Sequence, residues 1–272
     1  SVDNHNFVRS ISTPSEGQYA QYAGSVTVSP NGNYITRDFG HEIKIHDLNT
    51  GRLIHTLKGH EDGVSSIDWS LDGQSVASAS LDDTVIVWQA ADGELIHILK
   101  GHNDACREVA FSPDGKYIAS GDSNGEILIW NTKGGNLERR IRNHYDKVTS
   151  LEWLPGGYTL ISSSQDGSVK MTDVFNDTVL SIYQTIRGKG EWIITNKNRY
   201  WDGSQNSGNL IAMVRGMAGY SIDQFAVRNN RPDLILSEMD MGYPETIESY
   251  KNQYLKRLIK LDALPKEIPD AN

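Results

Sequence analysis

Short runs of alternating apolar and polar residues fill most of the chain, and clusters of Gly, Pro, Asp and Asn separate them. Between residues 64 and 100 the runs are VSSIDWS, SVASAS, TVIVW and ELIHILK. An apolar residue at every second position lies on one face of a β-strand, whereas an amphipathic helix needs a spacing of three and four. The pattern therefore predicts four short strands joined by tight turns.

This four-strand pattern recurs with a period of 42 residues. The segments GRLIHTLKGH at 51–60 and GELIHILKGH at 93–102 agree at eight of ten positions. The same step leads from His60 to His102 and then to His144. A turn follows the first strand of each unit, as SPNG, SLDG, SPDG or LPGG, beginning at Ser29, Ser70, Ser112 and Leu154. A fixed period of this length indicates a repeat architecture in which each unit forms one sheet.

A GH dipeptide before the first strand and a Trp at the end of the third resemble the WD40 repeat of β-propellers. The resemblance implies an all-β WD40 β-propeller of four-stranded antiparallel blades. About five blade equivalents are expected, near residues 18–58, 59–100, 101–142, 143–185 and 186–221. In the fifth, EWIIT and RYWDGS would be the opening strands, and LIAMVRGM and GYSIDQF would complete it.

The number of blades and the closure of the ring stay open, because propellers of this family usually close with about seven blades. The opening NFVRSIS resembles an outer strand whose blade lies upstream. We therefore expect the chain to be a piece of a longer polypeptide.

The last segment, residues 222–272, has the pattern of a helical extension or linker. Pro244 occupies a suitable first helical position, and acidic residues follow it, while basic residues lie in the last turn. Apolar side chains recur at three-and-four spacing at Ile247, Tyr250, Tyr254, Leu258 and Leu261. This stripe must be covered, so we expect the helix to dock on another surface.

The WD40 resemblance also implies a buried hydrogen-bonded tetrad of His, Ser or Thr, Asp and Trp in each blade. The predicted members are His60, Ser80, Asp82 and Trp88, then His102, Ser120, Asn124 and Trp130, then His144 and Asp166. In the first of these sets the hydroxyl could be that of Ser78 instead of Ser80. Asn124 would be a weaker, neutral acceptor, so its blade is expected to be looser.

The outer repeats have lost parts of the tetrad. The fourth has Thr172 in place of Trp, and the first has Tyr19, Gly40 and His46 at three of the positions. A Ser-His-Asp hydrolase is the alternative interpretation of these residue types. The WD40 resemblance implies structural bracing instead, so we predict no catalytic residue.

Residues in the loops beside the tetrads are the candidate partner-binding rim. Asp62, Asp104 and Asp146 follow each repeating His by two residues. Leu81, Ser123 and Gln165 directly precede the turn Asp or its replacement, and Tyr145 lies beside them. Large side chains are favoured as interface anchors, and the three Asp could bind a basic partner or a cation. The alternative is that each Asp caps its own turn.

Composition narrows the class of partner. The net charge is −9, from 35 acidic and 26 basic residues, which argues against a nucleic-acid backbone as the main partner. Cys106 is the single cysteine and aligns with apolar strand positions, so we expect it to be packed in a core. We predict no metal, no cofactor and no membrane association. A reducing, cytoplasmic compartment is the expected location.

A second resemblance covers about residues 188–268. GEWIITNKNRYWDGS, YSIDQFAVRNNRPDLIL, the helix YKNQYLKRLIK and LPKEI resemble the region that precedes a caspase-like (metacaspase-like) peptidase domain in bacterial WD-repeat proteins. The resemblance implies a non-catalytic scaffold or sensor that binds protein partners and regulates or docks such a peptidase.

Two alternative functions remain. One is a freestanding WD-repeat adaptor that assembles a protein complex without any protease. The other is an enzyme working in the propeller channel, with the rim carboxylates and a histidine as acid and base. We expect the scaffold and not the enzyme.

Overall fold

The computed structural model describes residues 25–176, 178–184, 192–198, 200–203, 212–215, 218–221, 230–238 and 244–262. They fall into two compact units, the first within Ser1–Asn143 and the second within His144–Asn272. Both units are built mainly from antiparallel strands in which neighbours in sequence are neighbours in the sheet.

The described part of the first unit contains three four-stranded antiparallel sheets. Sheet A is β1 (Val26–Val28), β2 (Tyr34–Phe39), β3 (Glu42–Asp47) and β4 (Leu53–Lys58). Sheet B is β5 (Val64–Trp69), β6 (Ser75–Ser80), β7 (Thr84–Gln89) and β8 (Leu95–Lys100). Sheet C is β9 (Cys106–Phe111), β10 (Tyr117–Asp122), β11 (Glu126–Asn131) and β12 (Leu137–Arg142). The predicted all-β fold of four-stranded antiparallel blades is confirmed.

Sheet B is buried on both faces because sheets A and C pack against its two sides. One core joins β3 and β4 of sheet A to Trp69, Ile86 and Trp88 of sheet B. The other joins Val85 and Val87 of sheet B to strands of sheet C. Neighbours along β7 therefore point into different cores, which explains why TVIVW is an almost continuous apolar run. Burying each large side chain stabilises the unit by on the order of 3 kcal/mol.

The second unit contains a six-stranded antiparallel sheet, a hairpin and two helices among its described residues. Sheet D is β13 (Val148–Trp153), β14 (Thr159–Ser164), β15 (Ser168–Asp173), β16 (Val179–Gln184), β17 (Trp192–Asn196) and β18 (Trp201–Gly203). The hairpin is β19 (Ala212–Arg215) and β20 (Ala218–Ser221), and the helices are α1 (Pro232–Glu238) and α2 (Pro244–Asp262).

Strands β17 and β18 extend sheet D, although the sequence predicted that they open a fifth blade. Ile194 of β17 pairs with Ile182 of β16, and Asp202 of β18 pairs with Ile194 on the other side. The outer strand of a blade leaves a row of unpaired N–H and C=O groups, and β17 satisfies that row. Strands β19 and β20 pair with each other as a separate two-stranded sheet.

Helix α1 covers the new edge of sheet D, and helix α2 packs on α1. The Arg231 amide donates to the Trp201 carbonyl at 3.0 Å, and Ile235 of α1 is buried. Helix α2 begins at Pro244, as predicted, and among residues 244–256 the half-buried ones are Ile247, Tyr250 and Tyr254. These three members of the predicted stripe are half-buried and α2 packs on α1, whereas the side chains of Leu258 and Leu261 lie outside the described part of the chain. Neither described helix combines the length and the apolar character needed to span a membrane.

Candidate functional site

The tetrad of sheet B ties three parts of the blade together. His60, before β5, lies with Nδ1 2.9 Å from Asp82 Oδ2 and with Nε2 2.8 Å from Ser78 Oγ. The indole N–H of Trp88, in β7, donates to the same Ser78 oxygen at 2.9 Å. Ser78 is 0% exposed, so its hydroxyl bonds to His60 and Trp88 inside the protein and not to solvent.

The hydroxyl of this tetrad belongs to Ser78, and the prediction of Ser80 was wrong. Both serines point to the same face of β6 because they are two residues apart, so alternation alone could not separate them. Ser80 lies at the end of the strand, where its Oγ donates to the Asp62 carbonyl at 3.0 Å. Its role is to hold the adjacent loop.

In sheet C the carboxylate comes from Asp122, and the prediction of Asn124 was wrong. Asp122 Oδ2 lies 3.1 Å from His102 Nδ1, and its Oδ1 accepts the backbone N–H of Asn124 at 2.9 Å. His102 Nε2 is 2.7 Å from Ser120 Oγ, which also accepts the indole N–H of Trp130 at 2.8 Å. This blade therefore has a charged acceptor, contrary to the expected weakening. Asp122 occupies the strand position that Ser80 has in sheet B. In the sequence it is the acidic residue nearest to Ser120.

Glu126 adds a second buried carboxylate beside this tetrad, which the sequence analysis missed. Arg140 and Arg142, from the outer strand β12, both bind it, the latter through Nε at 2.6 Å. His102, Asp122 and Glu126 are close enough together to suggest a cation site. Every side-chain nitrogen and oxygen of the three already has a protein partner, so the arrangement is an ion-pair network.

Sheet D keeps the first three members of the tetrad. His144 Nδ1 lies 3.0 Å from Asp166 Oδ2, and its Nε2 lies 2.8 Å from Ser162 Oγ. Thr172 replaces the Trp and is buried. In sheet A, His46 is buried at the Trp position, whereas the predicted Tyr19 lies outside the described residues.

The electrostatics of the tetrads in sheets B and D favour a neutral His beside an ionised Asp. Burial lowers the pKa of His60 and of His144 below 6.5, although the neighbouring carboxylates oppose the shift. Burial alone would raise the pKa of Asp166, but hydrogen bonds from Ser168, the Tyr145 N–H and His144 outweigh it and lower the pKa to about 2. Because the Ser hydroxyl is inaccessible, the arrangement braces the blade and offers no nucleophile to a substrate.

The three rim Asp carboxylates face their own turns. Each accepts a hydrogen bond from the next backbone N–H, at 2.6 Å for Asp62 and at 2.7 Å for Asp104 and Asp146. This is the turn-capping alternative that the sequence left open. Asp62 and Asp146 are exposed, while Asp104 is half-buried.

The other rim residues differ in how exposed they are to a binding partner. In the first unit, Leu81 is half-buried beside Gly63, and Ser123 Oγ accepts a hydrogen bond from Arg107 Nε at 2.7 Å. In the second unit, Gln165 is exposed and Tyr145 is 91% exposed. Cys106 is buried, and burial raises the pKa of its thiol, so it is unreactive core filling, as predicted.

Comparison with known proteins places the chain in a family. The family model of the IFT122 first beta-propeller matches residues 23–215. The chain is 36% identical over 59 residues to an intraflagellar transport protein 122 homolog from Xenopus tropicalis, covering 22% of this chain and 5% of that protein. It is 34% identical over 76 residues to mouse WD repeat-containing protein 1, covering 26% and 12%.

A second WD-repeat relative and a solved structure of similar fold extend the comparison. An uncharacterized WD repeat-containing protein of Synechocystis is 51% identical over 35 residues, covering 13% of this chain and 2% of that protein. The structure of U3-55K superposes with a TM-score of 0.58 and 17% identity, covering 74% of this chain and 69% of that chain. This chain thus matches a small part of the length of its curated relatives. It belongs to the IFT122 first β-propeller family, and it is a WD-repeat scaffold for protein interactions.

Proposed function

We propose that this scaffold binds a protein partner through its rim residues and thereby regulates or docks a caspase-like cysteine peptidase, in the cytoplasm. Partner binding at the rim is supported by one observation: Tyr145 is an aromatic side chain that is 91% exposed. Its backbone N–H donates to Asp166 Oδ2 at 3.1 Å, so the tetrad holds the loop that presents it. A large side chain on a braced loop loses little freedom on binding, which favours it as an anchor.

The same bracing occurs at the rim of sheet B. Asp82 Oδ2 accepts the Glu61 N–H at 2.8 Å as well as bonding His60. The loop that carries Asp62 is thereby fixed to the loop that carries Leu81. A preorganised pair of loops supports recognition of a partner whose shape matches them.

The peptidase half of the proposal rests on the second resemblance, in residues 188–268. Within it, Arg231-Pro232-Asp233 joins sheet D to the helices, since Arg231 forms two hydrogen bonds to Asp233. A compact connection of this kind can transmit a change at the propeller to a domain attached to it. The peptidase residues themselves would lie on the parent polypeptide or on another member of the complex.

The rim is tested with Tyr145→Ala and Leu81→Ala. Tyr158→Ala is the matched control, because Tyr158 is also an exposed aromatic residue, 59% exposed, in the turn at the other end of sheet D. Partners are captured by crosslinking from the native organism. We expect the rim variants to lose partners that wild type and Tyr158→Ala retain. Equal capture by all variants would remove the rim proposal.

The regulatory half is tested on the parent reading frame and on the captured partners. We expect a His and Cys peptidase pattern in one of them, and we expect cleavage of a peptidase substrate to change with Tyr145→Ala. If neither the reading frame nor the partners contain a peptidase, this half is wrong.

A freestanding adaptor is the second candidate function, and one observation favours it. Helix α2 packs on α1, and the Arg231 guanidinium lies 3.9 Å from the centre of the Tyr254 ring. The apolar stripe of α2 is thus at least partly covered within the chain, so a peptidase domain is not needed to cover that part. Capture of partners without any peptidase would select this alternative.

A further inference from the structure

A groove lies between sheets B and C at the end of the strands opposite to the rim residues. It is formed by the turn from β5 to β6 and by the turn from β9 to β10, and it has a volume of about 360 Å³. Its lining residues are Ser70, Leu71, Asp72, Ser75, Pro113, Asp114, Gly115 and Thr132. The SLDG and SPDG turns of neighbouring repeats therefore make its two walls.

Leu71 is the unusual residue of this groove. The turns of the other three repeats have Pro30, Pro113 and Pro155 at this position. Proline presets the backbone for a turn and lowers the entropy of the unfolded chain, and leucine does neither. Leu71 is instead 65% exposed, so its side chain adds apolar surface at the wall of the groove without contributing to a core.

Asp72 gives the groove a negative charge. Its Oδ1 accepts the Ser70 hydroxyl at 2.6 Å and the Gln74 N–H at 2.9 Å, and these bonds lower the pKa of the carboxyl. In the neighbouring repeat, Asp114 makes the same turn but pairs with Lys116 at 2.9 Å. Gln74 replaces that lysine, so within the described ranges Asp72 has no basic partner.

We propose that this groove binds an extended segment of a partner protein in which a Lys or Arg is next to an aliphatic side chain. The cation would pair with the free Oδ2 of Asp72, and the aliphatic side chain would pack on Leu71 and Pro113. The proposal rests on the protein-binding function proposed above and adds a second surface to it. Charge complementarity and the apolar wall select this partner over an acidic or a purely polar segment.

Two substitutions remove the two features of the groove and keep its turn. Asp72→Asn leaves the acceptor oxygen, and sheet A shows that Asn serves there, since Asn31 Oδ1 accepts the Ser29 hydroxyl at 2.8 Å and the Asn33 N–H at 3.0 Å. Leu71→Pro restores the residue found in the other repeats. Asp92→Asn is the matched control, because Asp92 is an exposed turn aspartate outside the groove lining, and its Oδ1 accepts the Glu94 N–H at 3.0 Å. Thermal unfolding confirms that each variant is folded.

The experiment selects short random peptides displayed on phage against the full chain and then measures the affinity of the enriched peptide by calorimetry. We expect enrichment of peptides with Arg or Lys next to Leu, Ile or Val. Asp72→Asn should weaken binding about 3-fold, as for an exposed ion pair, and Leu71→Pro about 10-fold. Asp92→Asn should change it by less than about 2-fold.

Three outcomes overturn the proposal: no enrichment, enrichment of acidic peptides, or binding that neither Asp72→Asn nor Leu71→Pro weakens. Binding lost in Leu81→Ala instead would place the peptide at the rim, which overturns the groove and leaves the proposed function standing. If the peptide binds in the groove but the rim variants capture all partners as wild type does, the groove proposal holds and the rim proposal is wrong.

Discussion

At the scale of single residues, the direction of the hydrogen bonds explains why a Ser-His-Asp set is structural here. The Trp88 indole can only donate, so Ser78 Oγ accepts from it. Because a neutral His60 uses its Nδ1–H for the Asp82 carboxylate, its Nε2 is an acceptor, and the Ser78 hydroxyl donates to it. A hydrolase triad has the same donor order, but its hydroxyl is open to substrate. Burial of the serine, and not the residue types, therefore separates bracing from catalysis.

The sheet C tetrad makes a prediction that separates the two candidate acceptors. Asp122→Asn removes a charged acceptor that is 1% exposed and bonded to His102. We expect it to lower the free energy of unfolding by about 2 kcal/mol, because a buried donor is left with a weaker partner. Asn124→Ala should change it by less than about 0.5 kcal/mol, since Asn124 is exposed. Urea unfolding of both variants measures this, and the reverse order of effects would restore Asn124 as the acceptor.

The buried histidines predict a loss of stability on mild acidification. The pKa values of His60 and His144 are lowered in the folded state by burial. As the pH falls below 6.5, the unfolded chain therefore binds protons that the folded chain does not, and the free energy of unfolding decreases. A second decrease follows below about pH 3.8 as Asp166, whose pKa is lowered to about 2, becomes protonated in the unfolded chain first.

Urea titrations from about pH 7.5 to about pH 5 measure the first decrease. The control is the double variant His60→Gln and His144→Gln, which lacks the titrating groups and should show a smaller dependence on pH. An identical pH dependence in the wild type and in this variant would mean that other groups cause the loss.

At the scale of elements, the strands of sheets B and C could be predicted because alternation, turn glycines and the 42-residue period all agree. The Gly-His pair also has a physical reason, since a Cβ on Gly59 would lie 2.9 Å from the Trp88 ring. The fourth repeat shows the converse: Asn143 replaces the glycine where Thr172 replaces the tryptophan. Gly and Trp are thus lost together, because the glycine is needed only where the tryptophan ring lies against it.

The pairing partner of β17 could not be predicted from its own sequence. The alternation of EWIIT is satisfied equally by an inner strand of a new sheet and by an added strand on the edge of sheet D. The pairing of β17 is determined by the open edge of β16 and by the contacts of Trp201, Arg231 and α1 that cover the added strands. These contacts depend on residues distant in sequence. The same limit applies to Glu126, whose arginine partners come from a different strand.

Arg231 is predicted to hold this added element in place. Its guanidinium forms a bidentate pair with Asp233, at 2.9 and 2.7 Å, and lies over the Tyr254 ring of α2. Arg231→Lys keeps the charge but loses the planar group that makes both contacts. We expect amide hydrogen exchange in α1 and α2 to become about ten-fold faster, with sheets A to C unchanged. Lys251→Ala, which removes an exposed pair with Glu248, is the control, and equal protection in Arg231→Lys and wild type would contradict this role.

At the scale of the whole molecule, the balance of charge decides which partners are attracted. The chain has 35 acidic and 26 basic residues, and its most basic described strand is β12, with sequence LERRIR. Two of the three arginines of that strand, Arg140 and Arg142, are bound to the buried carboxylate of Glu126. The strand therefore offers less positive charge to a partner than its sequence indicates. This supports basic protein segments, rather than nucleic acids, as the ligands of the scaffold.

The corresponding prediction is that the chain does not bind nucleic acid even when electrostatic attraction is strongest. In low salt, where screening is weak, the anisotropy of a short fluorescent DNA duplex or RNA strand should not change on addition of the protein. The physical reason is that 35 acidic residues outnumber 26 basic ones, so the net charge of −9 repels a phosphate backbone. The control is the triple variant Arg139→Ser, Arg140→Ser and Arg142→Ser, in which β12 has lost its arginines. Binding by the wild type that disappears in the triple variant would show that β12 is a phosphate-binding surface in spite of Glu126.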